Sequence, residues 1–126
     1  MTLAQQIIIR PQSKSCSLDE VLDQIRIIAY HGQTEVCFGG PEPTRHPYLR
    51  QMVEEAKGIG LKVVVLTQGG SRPIRYKRLA EAGVDGFHVS RKHFAEALRM
   101  AGTLLETREL QAYQAIQELG LLTLIE

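Results

Sequence analysis

The run LKVVVLT, residues 61–67, restricts the fold more than any other part of the chain. It is almost unbroken in apolar character, of strand length, and rich in β-branched valine. A run without polar alternation belongs to a strand covered on both faces, as in a parallel sheet. A parallel strand cannot return to its neighbour through a hairpin. It needs a crossover of about a dozen residues or more, usually a helix.

The flanking sequence supplies such crossovers. QIIIR (6–10) is a short β-branched run ended by Pro11. Leu18, Val21, Leu22, Ile25, Ile28 and Ala29 then fall on one helical face, with Ser17 and Glu20 forming a capping box and Gly32 a stop. TEVCF (34–38) is a second strand. Pro47 suits the first turn of a helix that buries Leu49, Met52, Val53 and Ala56 and ends at Gly58 or Gly60. After LKVVVLT, GGSR leads into a helix from Pro73 to Ala82, closed by Gly83. VDGFHVS (84–90) is a fourth strand. Ser90 caps a helix carrying Phe94, Ala97, Leu98 and Ala101 and ended by Gly102. Thr107 caps a last helix bearing Leu110, Ala112, Ile116 and Leu119, and LLTLIE is a fifth strand. The alternation predicts a single α/β domain over residues 1–126, with about four to five parallel βα units. That number is too small for an eight-stranded barrel, so a partial, half TIM-like barrel is expected, with open sheet edges.

Charge and segment composition exclude several classes of function. Fifteen basic residues stand against fourteen acidic ones, with no long run of either sign, so nucleic acid and anionic membranes are not expected partners. No apolar run approaches the roughly 20 residues of a membrane span. The N-terminal MTLAQQIIIRPQ lacks the basic and apolar regions of a signal peptide, and the two cysteines read as reduced thiols. A cytoplasmic protein is expected.

In parallel α/β sheets function collects at the carboxyl ends of the strands. Those ends gather Arg10, Glu42, Thr44, His46, Gln68, Ser71, Arg72, His88, Ser90 and Arg91. Alternation along the fourth strand puts Gly86, His88 and Ser90 on one face and Phe87 and Val89 on the other.

EVCFGGPEPTRHPYLRQMVEEAKGIGLKVVVLTQGG, followed by RLAEAGVDGFHVS, resembles the central part of a radical S-adenosylmethionine (radical SAM) enzyme. The family carries a strand ending in Gly-Gly-Glu-Pro-Thr, then His-Pro and a helix, a strand ending in Thr-Asn-Gly, and a later Val-x-Val-Ser strand. The resemblance implies cofactor-binding positions at Gly39, Gly40, Glu42, Thr44, Gln68 and Ser90, with the methionine amino group held near Gly40, Pro41 and Glu42. Two departures matter. Pro41 replaces a glycine, which removes a backbone N–H and fixes φ near −65°. The family's CxxxCxxC cluster loop corresponds to PQSKSCS, which holds only Cys16. The other cysteine, Cys37, lies within a strand, so no [4Fe–4S] cluster is expected. No cofactor is assured, and S-adenosylmethionine binding, if retained, is expected to be weak.

The residues themselves allow more than one role. Glu42 either holds a cofactor amine or satisfies local N–H groups at the start of a helix. Cys16 reads as an ordinary loop cysteine and Cys37 as a small core residue. His88 is either an acid–base group or a hydrogen-bonded sheet histidine. His46 reads as a helix cap, His31 as a partner of a helix C-terminus, and His93 as a surface residue. The histidines show no metal-ligand spacing. GGSR at 69–72 could cradle a phosphate, with Arg72 or Arg75 assisting. RYKR (75–78) reads as a solvated face, and Tyr113 as packing. The expectation is a degenerate radical-SAM-like domain that binds a small molecule or assembles with a partner, as a homodimer or with another protein covering the open sheet edge. The alternatives are a small cluster-independent enzyme using His88 and Glu42, and one subunit of a split radical SAM enzyme.

Overall fold

The computed structural model describes residues 5–8, 17–100 and 108–126. Five parallel strands, β1 (Gln5–Ile8), β2 (Glu35–Gly39), β3 (Lys62–Leu66), β4 (Gly86–Ser90) and β5 (Leu122–Ile125), lie in the order β1-β2-β3-β4-β5. Each strand pairs with the next one in the chain, without the order reversal that marks a doubly wound sheet. Sequential order is the arrangement of a barrel, here a partial TIM-like one. Cys16, Ala101, Gly102 and Thr107, named above as loop, core or helix-end residues, lie outside the described residues, as does Arg10.

Five helices form the crossovers: α1 (Leu18–Tyr30), α2 (Leu49–Ile59), α3 (Pro73–Ala82), α4 (Arg91–Met100) and α5 (Arg108–Glu118). Local chemistry sets their ends. The Ser17 hydroxyl accepts from the Glu20 amide at 3.3 Å. Gly60 and Gly83, both left-handed, close α2 and α3. His46 Nδ1 accepts from the Tyr48 amide at 3.1 Å in the turn that leads into α2. Among the described residues no helix is long and apolar enough to cross a membrane.

Strand alternation divides the sheet into two faces. Val36, Phe38, Val63, Val65, Phe87 and Val89 point to the helices and are fully buried with Val21, Ile25, Met52, Tyr76, Leu79 and Ile116. Phe87 meets Tyr76 edge-on, with ring centroids 5.3 Å apart, a favoured aromatic geometry. The opposite face carries Cys37, Val64, Leu66, His88 and Thr123 on register-matched strands. Of these Val64 is fully buried, Cys37, Leu66 and His88 are half-buried, and Thr123 is exposed. At the amino end of the sheet, Asp85 binds Lys57 Nζ at 2.9 Å and the Val63 amide at 2.8 Å, joining α2 to β3. Partial burial pushes its carboxyl up, but the Lys57 and Val63 hydrogen bonds outweigh that and hold it below its ordinary value.

Two sequence readings need correction. Cys37 is not in the core: Val36 and Phe38 take the helix side, and alternation turns Cys37 to the open face. Leu98 is 52% exposed, because among the described residues α4 meets the core through Phe94 and Ala97. Phe87→Ala is expected to cost about 3–5 kcal/mol in urea unfolding, as for other fully buried aromatics. Leu98→Ala should stay within about 0.5 kcal/mol.

Candidate functional site

The carboxyl ends of β2 and β3 are tied together through one buried carboxylate. β2 ends at Gly39, and Gly40 takes a positive φ of 128°. The chain passes Pro41 and enters a 3₁₀ turn, Pro43–Arg45. This path turns Glu42 inward toward the loop after β3, leaving it 6% exposed. Its Oε1 accepts from the Thr67 hydroxyl at 2.8 Å and from the Gly70 amide at 2.5 Å.

Proton counting fixes the direction of the network. A threonine hydroxyl has one proton and two acceptor sites. Thr67 gives its proton to Glu42, so the Tyr76 hydroxyl, 2.8 Å away, must donate to Thr67. The Gly69 amide fills the second acceptor site at 3.2 Å, and the Ser71 amide donates to Tyr76 at 3.3 Å. The relay runs from Ser71 N–H through Tyr76 and Thr67 to Glu42. Burial, then the Glu42 charge, pushes the Tyr76 phenol up to about 12, which keeps it protonated as this direction requires.

Further bonds lock the same two loops. The Thr44 and Ser71 hydroxyls are 2.7 Å apart. Arg45 Nε donates to the Gly70 carbonyl at 3.0 Å. Arg75 donates to the carbonyls of Thr44 at 3.0 Å and His46 at 2.7 Å. From the far side, the Tyr113 hydroxyl of α5 donates to the Gln68 carbonyl at 3.0 Å.

The two glycines of the β3 loop answer to these contacts. A β-carbon on Gly70 would lie 2.6 Å from Glu42 Oε1, so only glycine lets the carboxylate approach. At Gly69, with φ +78°, a β-carbon would meet the α5 backbone at Glu109, 2.9 Å away.

Glu42 Oε2 is buried and has no hydrogen-bond partner. Burial pushes the Glu42 carboxyl above its ordinary value of 4.5, partly offset by the Thr67 hydroxyl, the Gly70 and Gln68 amides and the Arg45 charge. The Gln68 amide lies near enough to lower the carboxyl, without closing a hydrogen bond to Oε2. An unpartnered buried oxygen is less costly protonated than charged.

The other candidate residues are distributed around this core. Gly39 and Thr44 are buried, Gly40 and Ser90 half-buried, and Gln68 exposed. His88 is half-buried on the open face of β4, and its Nε2 leans back to 4.0 Å from the place of a Gly86 β-carbon. Burial lowers its pKa first, with Glu35 raising it and Lys62 lowering it further. Those neighbours lie at the amino ends of β2 and β3, so the structure does not bring His88 and Glu42 together. Sequence reasoning missed Thr67 and Tyr76 as partners of Glu42. The available signals were a threonine ending an apolar strand and a tyrosine three residues before Leu79 on the buried face of α3. A separate cavity of about 300 Å³ is lined by Gln68, His93, Glu96, Met100, Glu109 and Tyr113.

A family profile described as the radical SAM superfamily matches residues 5–125. The chain belongs to this superfamily. Curated relatives include the biotin synthase of Brucella anthropi, 34% identical over 80 residues, covering 60% of this chain and 24% of that one. The biotin synthase of Photorhabdus laumondii is 30% identical over 98 residues, covering 75% and 27%. That of Cronobacter sakazakii is 30% identical over 112 residues, covering 82% and 31%. The chain thus spans about a quarter to a third of the length of these relatives.

The residues present can be tested against the groups that radical SAM proteins are expected to hold. A [4Fe–4S] cluster takes cysteine thiolates. The sequence has two cysteines, Cys16 and Cys37. Cys37 lies within β2, where burial and then Glu35 push its thiol up, away from the thiolate form. This donor set does not fit the cluster. At Glu42, Oε1 is engaged, Oε2 is closed off from solvent, and Pro41 offers no N–H.

Glu42→Ala should cost about 2–5 kcal/mol, because it strands the Thr67 hydroxyl and the Gly70 amide, each a buried donor. Glu42→Gln keeps an acceptor and should cost less than about 1.5 kcal/mol. The raised carboxyl binds its proton more tightly in the native state, so stability should fall as pH rises from about 4.5 through the native value. Urea unfolding across that range should show the slope in wild type and lose this component in Glu42→Gln. An unchanged slope in the variant would mean that Glu42 is not the titrating group.

Proposed function

We propose that this chain is a radical-SAM-type partial barrel that assembles no [4Fe–4S] cluster by itself and acts by binding a small molecule or assembling with a partner. The observation that carries this reading is the thiol count. Two cysteines, 21 positions apart and one of them inside a strand, cannot replace three in one loop. Glu42 supports the same reading, since its hydrogen bonds hold two loops to each other and are not turned to a ligand. The chain retains the geometry of the strand ends and uses it as a rigid platform.

The partner proposed is a second copy. Among the described residues β1 and β5 each pair on one side only, and the face with Cys37, His88 and Thr123 has no covering layer. Outer strands with free edges recruit further strands. Leu122 and Leu124 lean on the helix-side core, so lysine there would report on folding. Thr123 is exposed on the open face and is the better probe. Light scattering should give twice the chain mass at micromolar concentration, and Thr123→Lys should lower it. A concentration-independent monomer would overturn the second-copy reading.

A second reading is favoured by the coverage of the relatives. The chain corresponds to about a quarter to a third of each biotin synthase, so another polypeptide could supply the cluster loop of a split enzyme. Anaerobic reconstitution with iron and sulfide separates the readings. The purified chain alone should give no stoichiometric [4Fe–4S] absorbance, whereas material isolated in complex would carry iron only under the split-enzyme reading. About one cluster per chain on the chain alone would overturn the proposal. S-adenosylmethionine should bind weakly in calorimetry, and Pro41→Gly should strengthen it by restoring a backbone donor. Submicromolar binding to the wild type would contradict this.

A further inference from the structure

A cavity of about 820 Å³ opens between the loop after β2, the start of α3 and the start of α5. Five arginines line it: Arg45, Arg72, Arg75, Arg78 and Arg108. One carboxylate, Glu109, also lines it. The whole chain has a formal net charge of only +1, so this is a local concentration of positive charge. Among the described residues, none of the five arginines forms an ion pair; the pairs present involve Arg26, Arg50 and Lys57.

Two kinds of arginine are present. Arg45 and Arg75 are fixed through their Nε atoms on loop carbonyls, which gives the cavity a rigid wall. The side chains of Arg72, Arg78 and Arg108 make no hydrogen bond or ion pair among the described residues, and all three residues are exposed. Burial lowers the Arg75 pKa, and the Arg78 charge lowers it further, as expected for like charges held close without a counterion. α3 begins with Pro73 after Arg72, no side chain caps it, and both residues line the cavity, so its positive N-terminal end borders the same space. The Thr44 and Ser71 hydroxyls are bonded to each other, so one of their two protons is used between them and one neutral donor is left on the wall.

We propose that this arginine-lined cavity binds a small ligand bearing a diphosphate or two clustered phosphates. Planar guanidinium groups match phosphate oxygens in pairs, and three elements contribute them from different directions. The volume lies in the range of small-molecule sites. The near-zero net charge gives no extended basic track, so a polynucleotide is the poorer occupant. The site lies on the outer side of the Glu42 network and does not require the cluster or its cofactor.

Calorimetric titration of the full chain at low ionic strength with inorganic pyrophosphate tests the proposal. Saturable one-to-one binding is expected, tighter than for inorganic phosphate. Arg72→Gln, Arg78→Gln and Arg108→Gln should each weaken it by roughly tenfold or more, the loss expected for a charge-assisted hydrogen bond. Lys92→Gln, on the exposed side of α4, should leave it unchanged, as should Thr123→Lys on the open sheet face. Circular dichroism checks that the exposed-arginine variants keep the fold. Absence of saturable heat, equal loss in Lys92→Gln, or phosphate binding as tightly as pyrophosphate would overturn the assignment. So would a short single-stranded oligonucleotide that binds and that pyrophosphate fails to displace.

Discussion

The hydrogen-bond relay from Ser71 through Tyr76 and Thr67 to Glu42 is the interaction on which the strand-end geometry depends. Each hydroxyl in it has its proton committed in one direction, so the relay has a single arrangement. That makes it a device for fixing loop positions, because any shift of one loop leaves buried donors without acceptors, a loss larger than the net gain of any single bond. Two loops that are each short and irregular acquire one common conformation. Gly70 is part of the same constraint, since the carboxylate sits where its side chain would be.

A carboxylate that accepts from a threonine and a backbone amide, with its second oxygen sealed from solvent, is committed to the protein. Arg45 and Arg75 reinforce the commitment by taking the loop carbonyls that would otherwise face solvent or a ligand. Their remaining donors and those of the neighbouring arginines turn outward. The polar capacity of these loops is thus divided: acceptors are used internally, and positive donors remain on the surface.

Much of this fold was legible in the sequence because it rests on local chemistry. The Ser17–Glu20 box, Gly60 and Gly83 mark helix ends, and LKVVVLT marks a parallel strand whose three valines are buried. What was not legible depends on distance across the fold. Cys37 lies between two core residues, and in a strand that places it on the face opposite to them. Leu98 fits the helical stripe, but among the described residues nothing buries it. The partners of Glu42 lie 25 and 28 residues away, and no local pattern reports a hydrogen bond at that separation. The Glu42 alternatives, cofactor amine or local N–H groups, both omitted the neighbouring loop that takes its Oε1.

The open face of the sheet follows from the same economy of contacts. In a closed barrel the inward residues of all strands fill the lumen in layers. Here five strands supply one wall of such layers: Cys37, Val64 and Gly86 at one level, Leu66, His88 and Thr123 at the next. Small and half-polar residues suit this position, since a fully apolar set would leave a large exposed patch. Val64, at the centre of this face, is buried even so. The rim residues stay accessible because no facing strands reach them. The helix side carries Phe38, Val65 and Phe87, and with them the greater part of the apolar burial. A partial barrel built this way can be stable through its outer layer while its inner wall remains available for a second layer of strands.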